Sequence, residues 1–274
     1  IETAKTLTND SVVAVMSGAF VQRGGIAITD KLKRAEMALK NGVDLVIELP
    51  ITFSHNTAQK FALGAIATLN ATGVIDTLAF GSECGDKDNL MNLAKAIANE
   101  PAEVSAKIKD LLSQGMSYPT ARAMAYEGIC DTTPLNTPND ILGIEYIRAC
   151  YDLGISPEIL PISRIGTKHD SNVVTGNIAS ASEIRRRRIS GDSVASFMPD
   201  CDFTLYDPKL LDLAVISKLR LATPDEISSI NDMAEGLENK IIAEAKNANS
   251  VDELAMAVKS KRYTLSRIRR ILYS

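Results

Sequence analysis

The sequence predicts an α/β protein with a doubly wound parallel sheet, followed by an all-helical C-terminal region. Three short apolar runs, at 11–18, 43–50 and 75–82, end in small or turn-forming residues, which is typical of buried strands. Segments with helical spacing separate these runs. Alternation of strand and helix favours parallel pairing through right-handed crossovers.

Most of the predicted elements have a recognisable start or stop. In "TDKLKRAEMALKNG", Thr29 is the predicted N-cap and Gly42 the predicted stop. A second helix is predicted within 54–73, where apolar residues recur at helical spacing. A helix begins at Pro138 and ends at Gly154, and a fourth strand follows over 157–163.

The composition changes near residue 192, after which helix formers predominate. We therefore expect one domain over 1–191 and a helical region over 192–274. The sequence has 45% hydrophobic and 23% charged residues, which is the balance of a soluble globular protein.

Charge and cysteine content exclude several classes of protein. The net charge is −4, so no global positive field steers the molecule to nucleic acid, and any polyanion must bind a local patch. No apolar run approaches the roughly 20 residues that cross a bilayer. The four cysteines lie far apart without C-x-x-C pairing, which predicts reduced, mostly buried thiols and a cytoplasmic location.

The segment "IASASEIRRRRISG" has the strongest local pattern. Ser180 and Glu183 have the S-x-x-E spacing of a capping box, which predicts a helix start at Ser180. A helix N-terminus offers unpaired N–H groups and a positive dipole end, both of which favour a phosphate. Ser182 and Arg185 are three residues apart and share a face. We expect these side chains to bind one anion.

The remaining arginines of this run have other predicted roles, because successive helical residues turn by about 100°. Arg186 and Arg187 are expected to be solvated or to meet a larger polyanion. Ile184 is expected to reach the core, and Arg188 to frame the anion site.

Two further segments permit two interpretations each. Ser17, Gly18, Gln22 and Arg23 in "SGAFVQRGG" form either an anion-binding loop or a glycine-rich turn with one exposed arginine. The segment "KSKRYTLSRIRR" (259–270) carries six cations and one tyrosine. It is either a phosphate-contacting surface with a ring for stacking or a helix with an ordinary basic face.

Familiar catalytic signatures are missing from the sequence. It contains no G-x-x-x-x-G-K-[ST], no G-x-G-x-x-G and no H-E-x-x-H pattern. Its two histidines, His55 and His169, have no clear nucleophilic partner, and no metal ligands are predicted.

Taken together and in order, the motifs resemble those of the bacterial tRNA(Met) cytidine acetate ligase family. They are "VAVMSGAFVQRGGIAITDKLKRAEMALKNGVDLVIELP", "FGSECGD", "PNDILGIEYI", "IASASEIR" and "KSKRYTLSRIRR". The resemblance covers nearly the whole chain. It implies a Rossmann-like, nucleotidyltransferase-like fold of the HIGH superfamily, in which 1–191 would bind ATP and 192–274 would bind tRNA.

The resemblance also implies a reaction and its site residues. ATP, with Mg²⁺, and acetate would form acetyl-adenylate, and the acetyl group would pass to N4 of the wobble cytidine of elongator tRNA(Met). ATP would contact Gly81, Asn139, Arg164, Ser180, Ser182 and Arg185. The cleft would be lined by Ser17, Gly18, Gln22 and Arg23, and tRNA would meet Lys261, Arg262, Tyr263, Arg267, Arg269 and Arg270.

The family's E-Y-N-P-F-H-N-G-H motif, which carries its H-x-G-H element, is not in this sequence, which begins at Ile1 and ends before further helix expected in the family. Catalytic residues are therefore not assigned. Two alternatives stay open: a small-molecule adenylyltransferase of the same superfamily, and a non-catalytic RNA-binding protein with the same fold.

Overall fold

The computed structural model describes residues 1–163, 179–198, 203–233, 236–261 and 263–274. All four strands that the sequence predicts are present. They are β1 (Val13–Ser17), β2 (Leu45–Leu49), β3 (Thr77–Ser82) and β4 (Glu158–Ser163).

Helices connect the strands and account for the regular structure that follows β4 in the described residues. Those before β4 are α1 (Glu2–Thr8), α2 (Lys31–Lys40), α3 (Ile51–Ser54), α4 (Ala58–Asn70), α5 (Lys87–Ala98), α6 (Ala102–Ser113), α7 (Tyr118–Tyr126) and α8 (Pro138–Leu153). Those after it are α9 (Ala181–Ser190), α10 (Lys209–Leu221), α11 (Pro224–Ser228), α12 (Leu237–Ala245), α13 (Val251–Val258) and α14 (Leu265–Leu272).

The strands pair in parallel, as predicted, but in two separate pairs. β1 lies beside β2, with Ser17 opposite Leu49, and β3 lies beside β4, with Ser82 opposite Ser163. Within the described residues no ladder joins the two pairs into one doubly wound sheet. A cavity of about 410 Å³, lined in part by Val13 of β1 and Leu78 of β3, separates them.

One predicted helix boundary differs from the structure. α2 is capped by Asp30, whose carboxylate accepts from Leu32 N at 2.8 Å, because the Thr29 hydroxyl is buried and donates to Thr204 O at 2.7 Å. The helix predicted within 54–73 is α4, and the short α3 ends at Ser54, before it begins. Thr57 caps α4, since its hydroxyl accepts from Lys60 N. The predicted ends of α8 are confirmed, with Gly154 in the left-handed conformation.

The described residues contain two hydrophobic clusters. The first packs α4, α5, α6, α7 and α8 against β3 and β4 around the buried Tyr126. The second is formed by residues of 216–272, in α10 to α14. The boundary between 191 and 192 stays a prediction. Of the cysteines in the described chain, Cys150 is buried, but Cys84 is exposed in the loop after β3, contrary to expectation.

Candidate active site

A polar cavity of about 390 Å³ lies at the carboxyl ends of the strands, between the loop after β1 and the N-termini of α8 and α9. This is the edge at which open α/β sheets bind ligands. The cavity gathers seven of the residues that the sequence selects. Its lining residues are Ser17, Val21, Gln22, Arg23, Phe61, Asn139, Ser180, Ala181, Ser182 and Arg185.

The loop over 18–27, the site loop, closes one side of this cavity. Its two ends are joined by backbone hydrogen bonds, from Ala27 N to Ala19 O at 2.7 Å and from Val21 N to Gly25 O at 3.0 Å. Gly24 and Gly25 have φ of 75° and 150°, which a residue with a side chain rarely adopts. The tight turn therefore presents Gln22 and Arg23 to the cavity.

An arginine of α2 holds the beginning of the site loop. Arg34 Nη2 donates to Ser17 O at 2.7 Å and also to Gly18 O. Burial lowers the pKa of Arg34, although the negative charges of Asp30 and Glu48 partly offset this shift. Gly18 does not line the cavity, since its backbone lies against the Glu48 side chain, which a Cβ would strike.

The start of α9 confirms the predicted cap. Ser180 is buried, and its hydroxyl accepts from Glu183 N at 3.1 Å. The hydroxyls of Ser180 and Ser182 are 2.9 Å apart. Arg185 is exposed one turn further along and lines the same cavity. Two hydroxyls, a helix N-terminus and a guanidinium thus converge, which suits an anion with several oxygens.

Arg186 is exposed, as predicted, but both Arg186 and Arg187 are also paired with an acid of the same helix. Glu183 is 1% exposed, and its carboxylate accepts from Arg186 at 2.7 and 2.8 Å and from Arg187 at 2.7 Å. These hydrogen bonds lower the pKa of Glu183 to about 2. A buried carboxylate needs paired charge, which explains why both arginines turn toward it. Ile184 is only half-buried, because Glu183 takes the inward position.

Aromatic rings cover the last arginines of the run. The Arg187 guanidinium lies 5.1 Å from the centre of the Phe197 ring, and that of Arg188 lies 4.9 Å from the Phe203 ring. Arg188 therefore packs on the segment after α9 and is not among the residues that line the cavity.

Asn139 is held in place by two acidic residues that were not selected from the sequence. Glu83 accepts from Asn139 Nδ2 at 2.6 Å and from the backbone N–H groups of Asn139 and Asp140 at 3.1 Å. Because Pro138 and these two residues form the first turn of α8, Glu83 acts as its cap from another loop. This leaves the amide oxygen of Asn139 for a ligand in the cavity.

Asp140 makes the reciprocal connection. It is 1% exposed and accepts from Glu83 N at 2.9 Å, from Cys84 N at 3.0 Å and from the Ser82 hydroxyl. The carboxyl groups of "FGSE" and "PND" each accept from backbone amides of the other segment. Their signal in the sequence was an acidic residue in each of two motifs that were selected for Gly81 and Asn139.

Two predicted nucleotide contacts are not placed in the cavity. Gly81 is exposed within β3 and does not line it, and a Cβ there would meet open space. Arg164 lies outside the described residues.

Three arginines of the basic segment at the C-terminus are paired with acids of the protein. Arg267 and Arg270 lie 3.4 and 2.9 Å from the Asp232 carboxylate, and Arg269 lies 2.7 Å from Asp252. Lys261 is exposed, whereas Arg262 lies outside the described residues. The half-buried ring of Tyr263 has the Arg267 guanidinium 5.0 Å from its centre.

Comparison with known proteins identifies the family. The HIGH Nucleotidyl Transferase family model matches residues 1–274. The tRNA(Met) cytidine acetate ligase of Clostridium perfringens is 39% identical over 294 residues, covering 99% of this chain and 73% of the relative. That of Caldanaerobacter subterraneus subsp. tengcongensis is 40% identical over 288 residues, covering 99% and 71%. The chain belongs to the tRNA(Met) cytidine acetate ligase family.

Solved structures of the ligase family have the same fold. Thermotoga maritima TmcAL in its apo form is 32% identical in sequence and superposes with a TM-score of 0.88. The match covers 99% of this chain and 70% of the Thermotoga chain. The same enzyme bound with alpha-thio ATP has a TM-score of 0.86. The α/β fold with parallel strands predicted from the sequence is therefore confirmed, apart from the division of the sheet.

In this member of the ligase family, the described ranges contain no cluster of three histidine, cysteine or acidic side chains arranged to hold a metal ion. Within the same ranges, none of the helices combines the length and apolarity needed to span a bilayer.

Proposed function

We propose that the protein is an ATP-dependent ligase that acetylates tRNA, with elongator tRNA(Met) as its substrate and the N4 amine of the wobble cytidine as the acceptor. The observation that carries this proposal is the cavity that joins the site loop, Asn139 and the N-terminus of α9 in a chain of this family.

The residues present suit a nucleoside triphosphate. The hydroxyls of Ser180 and Ser182, the N-terminus of α9 and the guanidinium of Arg185 form a concave group of donors around one end of the cavity. Arg23 lines it from the site loop. Phosphate oxygens bind such donors because each charged hydrogen bond replaces a water contact with a fixed one. We assign the triphosphate to this end and an acceptor role to the Asn139 amide oxygen.

The reaction divides into two balanced steps. An acetate oxygen bonds to the α-phosphorus of ATP as the bond to pyrophosphate breaks, which gives acetyl-adenylate. The cytidine N4 amine then bonds to the acetyl carbon, loses a proton and releases AMP. Arg185 and Arg23 offset the negative charge that pyrophosphate carries away, so this chain acts by binding, orientation and charge stabilisation. Mg²⁺ would accompany the phosphates, since this ion is usually held by phosphates and few carboxylates.

The helical region over 192–274 is assigned to tRNA, with Lys261 as one of its exposed cations. Arg267 and Arg269 contribute positive charge that Asp232 and Asp252 partly offset. This arrangement fits a moderate, salt-dependent attraction to phosphates rather than a strongly positive surface. A reaction on tRNA with ATP places the protein in the cytoplasm.

The test incubates the full-length protein with ATP, labelled acetate and an unmodified elongator tRNA(Met) transcript, with initiator tRNA(Met) as the matched RNA. We expect label at N4 of the wobble cytidine of the elongator only, together with acetate-dependent exchange of pyrophosphate into ATP. Exchange with another carboxylate but no label in RNA would instead identify a small-molecule adenylyltransferase. RNA binding without exchange would identify a non-catalytic binding protein, and either outcome overturns the proposal.

A further inference from the structure

One arginine of α14 connects the helical region to the site loop. Arg270 Nη1 donates to Gln22 O at 3.2 Å, and its Nη2 donates to Asp232 Oδ2 at 2.9 Å. The Arg270 side chain is only 12% exposed. The Arg270 guanidinium therefore binds a carboxylate of the helical region with one nitrogen and a backbone carbonyl of the site loop with the other.

The backbone of the site loop also lies directly against α14. A Cβ added at Gly24 would lie 2.6 Å from Arg269 Cβ and from Arg270 N, distances that real contacts do not show. Gly24 has a φ of 75°, so glycine is favoured there both by conformation and by space. The loop and the helix are thus in close contact over this turn.

A histidine attaches to the same turn of α14 from the other side of the loop. His55 Nε2 lies 3.1 Å from Arg270 O, and because a carbonyl only accepts, this nitrogen carries the proton. The Phe20 ring packs edge-on against the imidazole at 5.5 Å. Burial lowers the pKa of His55, and the hydrogen bond to the Arg270 carbonyl partly opposes this shift.

We propose that Arg270 is a positioning residue for the nucleotide site: it holds the backbone of Gln22 so that Gln22 and Arg23 face the cavity. This inference rests on the proposed function, because it assumes that the cavity binds ATP. Arg270 then serves the nucleotide more than the RNA, although it lies in the basic segment predicted to bind tRNA.

The physical reason is the cost of ordering the loop. A turn with two consecutive glycines has many conformations in the absence of contacts, and only those with Gln22 and Arg23 at the cavity bind the nucleotide. Removing the Arg270 anchor lowers the fraction of competent molecules, and the apparent affinity falls by the same factor. By reciprocity, a ligand that orders the loop also steadies this turn of α14.

The test compares Arg270→Gln and Arg270→Lys in the full chain. Calorimetry with a non-hydrolysable ATP analogue gives the Kd for nucleotide, pyrophosphate exchange gives KM and kcat, and filter binding gives the Kd for tRNA. We expect Arg270→Gln to raise the nucleotide Kd and the KM for ATP by about tenfold, the loss expected for one charged hydrogen bond. The kcat and the tRNA Kd should change less than about twofold, within measurement scatter. Arg270→Lys reaches only one of the two partners, so its nucleotide Kd should lie between those of the wild type and Arg270→Gln.

Arg220→Gln is the matched control. Arg220 donates to Ala245 O, Lys246 O and Ala248 O inside the helical region, so its loss lowers Tm without touching the site loop. We expect its nucleotide Kd to equal that of the wild type. If Arg270→Gln does not fold, Gly24→Ala takes its place, because it disturbs the contact between the site loop and α14 from the loop side. We expect the same rise in the nucleotide Kd.

Two results would overturn the inference alone: a wild-type nucleotide Kd in the Arg270 variants, or a weakened tRNA affinity with an unchanged nucleotide Kd. A wild-type protein that binds no ATP analogue would instead overturn the proposed function, and the inference with it.

Discussion

The two arginine-rich helices, α9 and α14, look alike in the sequence and differ in how their charge is balanced. In α9 the acid is Glu183, three and four residues before the arginines that it binds. In α14 the acids are Asp232 and Asp252, which belong to other elements. Both helices therefore expose less positive charge than their composition indicates.

The difference shows what each arrangement can do. The pairs within α9 depend on one helix alone, and they leave Arg185 as the arginine of the run that lines the cavity. The pairs of α14 join separate elements and reach the site loop through Arg270. Local pairing sets the direction of a side chain, whereas long-range pairing connects one region of the molecule to another.

The largest expected effect separates neighbouring arginines of α9. Arg185→Gln should lower kcat/KM for ATP by about 100-fold, because it removes charged hydrogen bonds to phosphate. Arg186→Gln is the matched control, since Arg186 binds Glu183 rather than the cavity, and it should change kcat/KM less than about twofold. Steady-state pyrophosphate exchange measures both. Equal losses in the two variants would contradict the division of roles within the run.

The next effect tests whether α14 depends on a distant acid. Asp232 has a φ of 71°, which asparagine tolerates well, so Asp232→Asn removes charge and leaves the backbone conformation in place. We expect a loss of about 2 kcal/mol in the free energy of unfolding, because Arg267 and Arg270 are left without their carboxylate. Asp252→Asn, at a carboxylate that is 75% exposed, should cost less than about 0.5 kcal/mol. Urea unfolding measures both losses. Equal losses would show that the ion pairs of Asp232 stabilise the fold no more than the exposed pair of Asp252.

A third prediction uses pH to isolate the local acid of α9. Because hydrogen bonds from Arg186 and Arg187 hold the pKa of Glu183 at about 2, its ionised form stabilises the fold at pH values above the ordinary carboxyl pKa. That stabilisation is lost as the pH falls toward about 2. Glu183→Gln should therefore lower Tm relative to the wild type at about pH 6, and the two values should approach each other only as the pH falls from the ordinary carboxyl pKa toward about 2. A difference in Tm that is independent of pH would contradict this.

The smallest expected effect concerns Lys261, an exposed cation of the basic segment. Lys261→Gln should weaken tRNA binding by a few-fold at moderate salt and reduce the slope of log K against log salt by about one. Lys246→Gln, another lysine that is exposed, gives the comparison outside the segment. An unchanged slope for Lys261→Gln would place the RNA on another surface.

Features that depend on neighbouring residues could be predicted from the sequence. The four strands, the Ser180 cap and the Gly154 stop each follow from a local pattern, and the structure contains all of them. Ser17 could be placed at the cavity because parallel strands have their carboxyl ends at one edge, and Ser182 because a helix N-terminus favours an anion. The place of Asn139 beside them was implied only by the family resemblance.

Features that depend on partners far away in the sequence could not be predicted from it. Thr29 looks like a cap, but Thr204, 175 residues away, takes its hydroxyl. Nothing near Arg270 in the sequence indicates Asp232 or Gln22, so its pairing is visible only in the fold. The capping role of Glu83 has the same origin, since the helix that it caps begins 55 residues later, at Pro138.

The reciprocal bonding of Glu83 and Asp140 has a consequence for the order in which the molecule folds. Each carboxylate accepts from backbone amides of the other segment, so neither loop is complete until β3 and the start of α8 have met. Closing a chain of this length is slower than forming either element alone. We therefore expect the wall that carries Asn139 to form late, and the proposed nucleotide cavity to be complete only after β3 and the start of α8 have met.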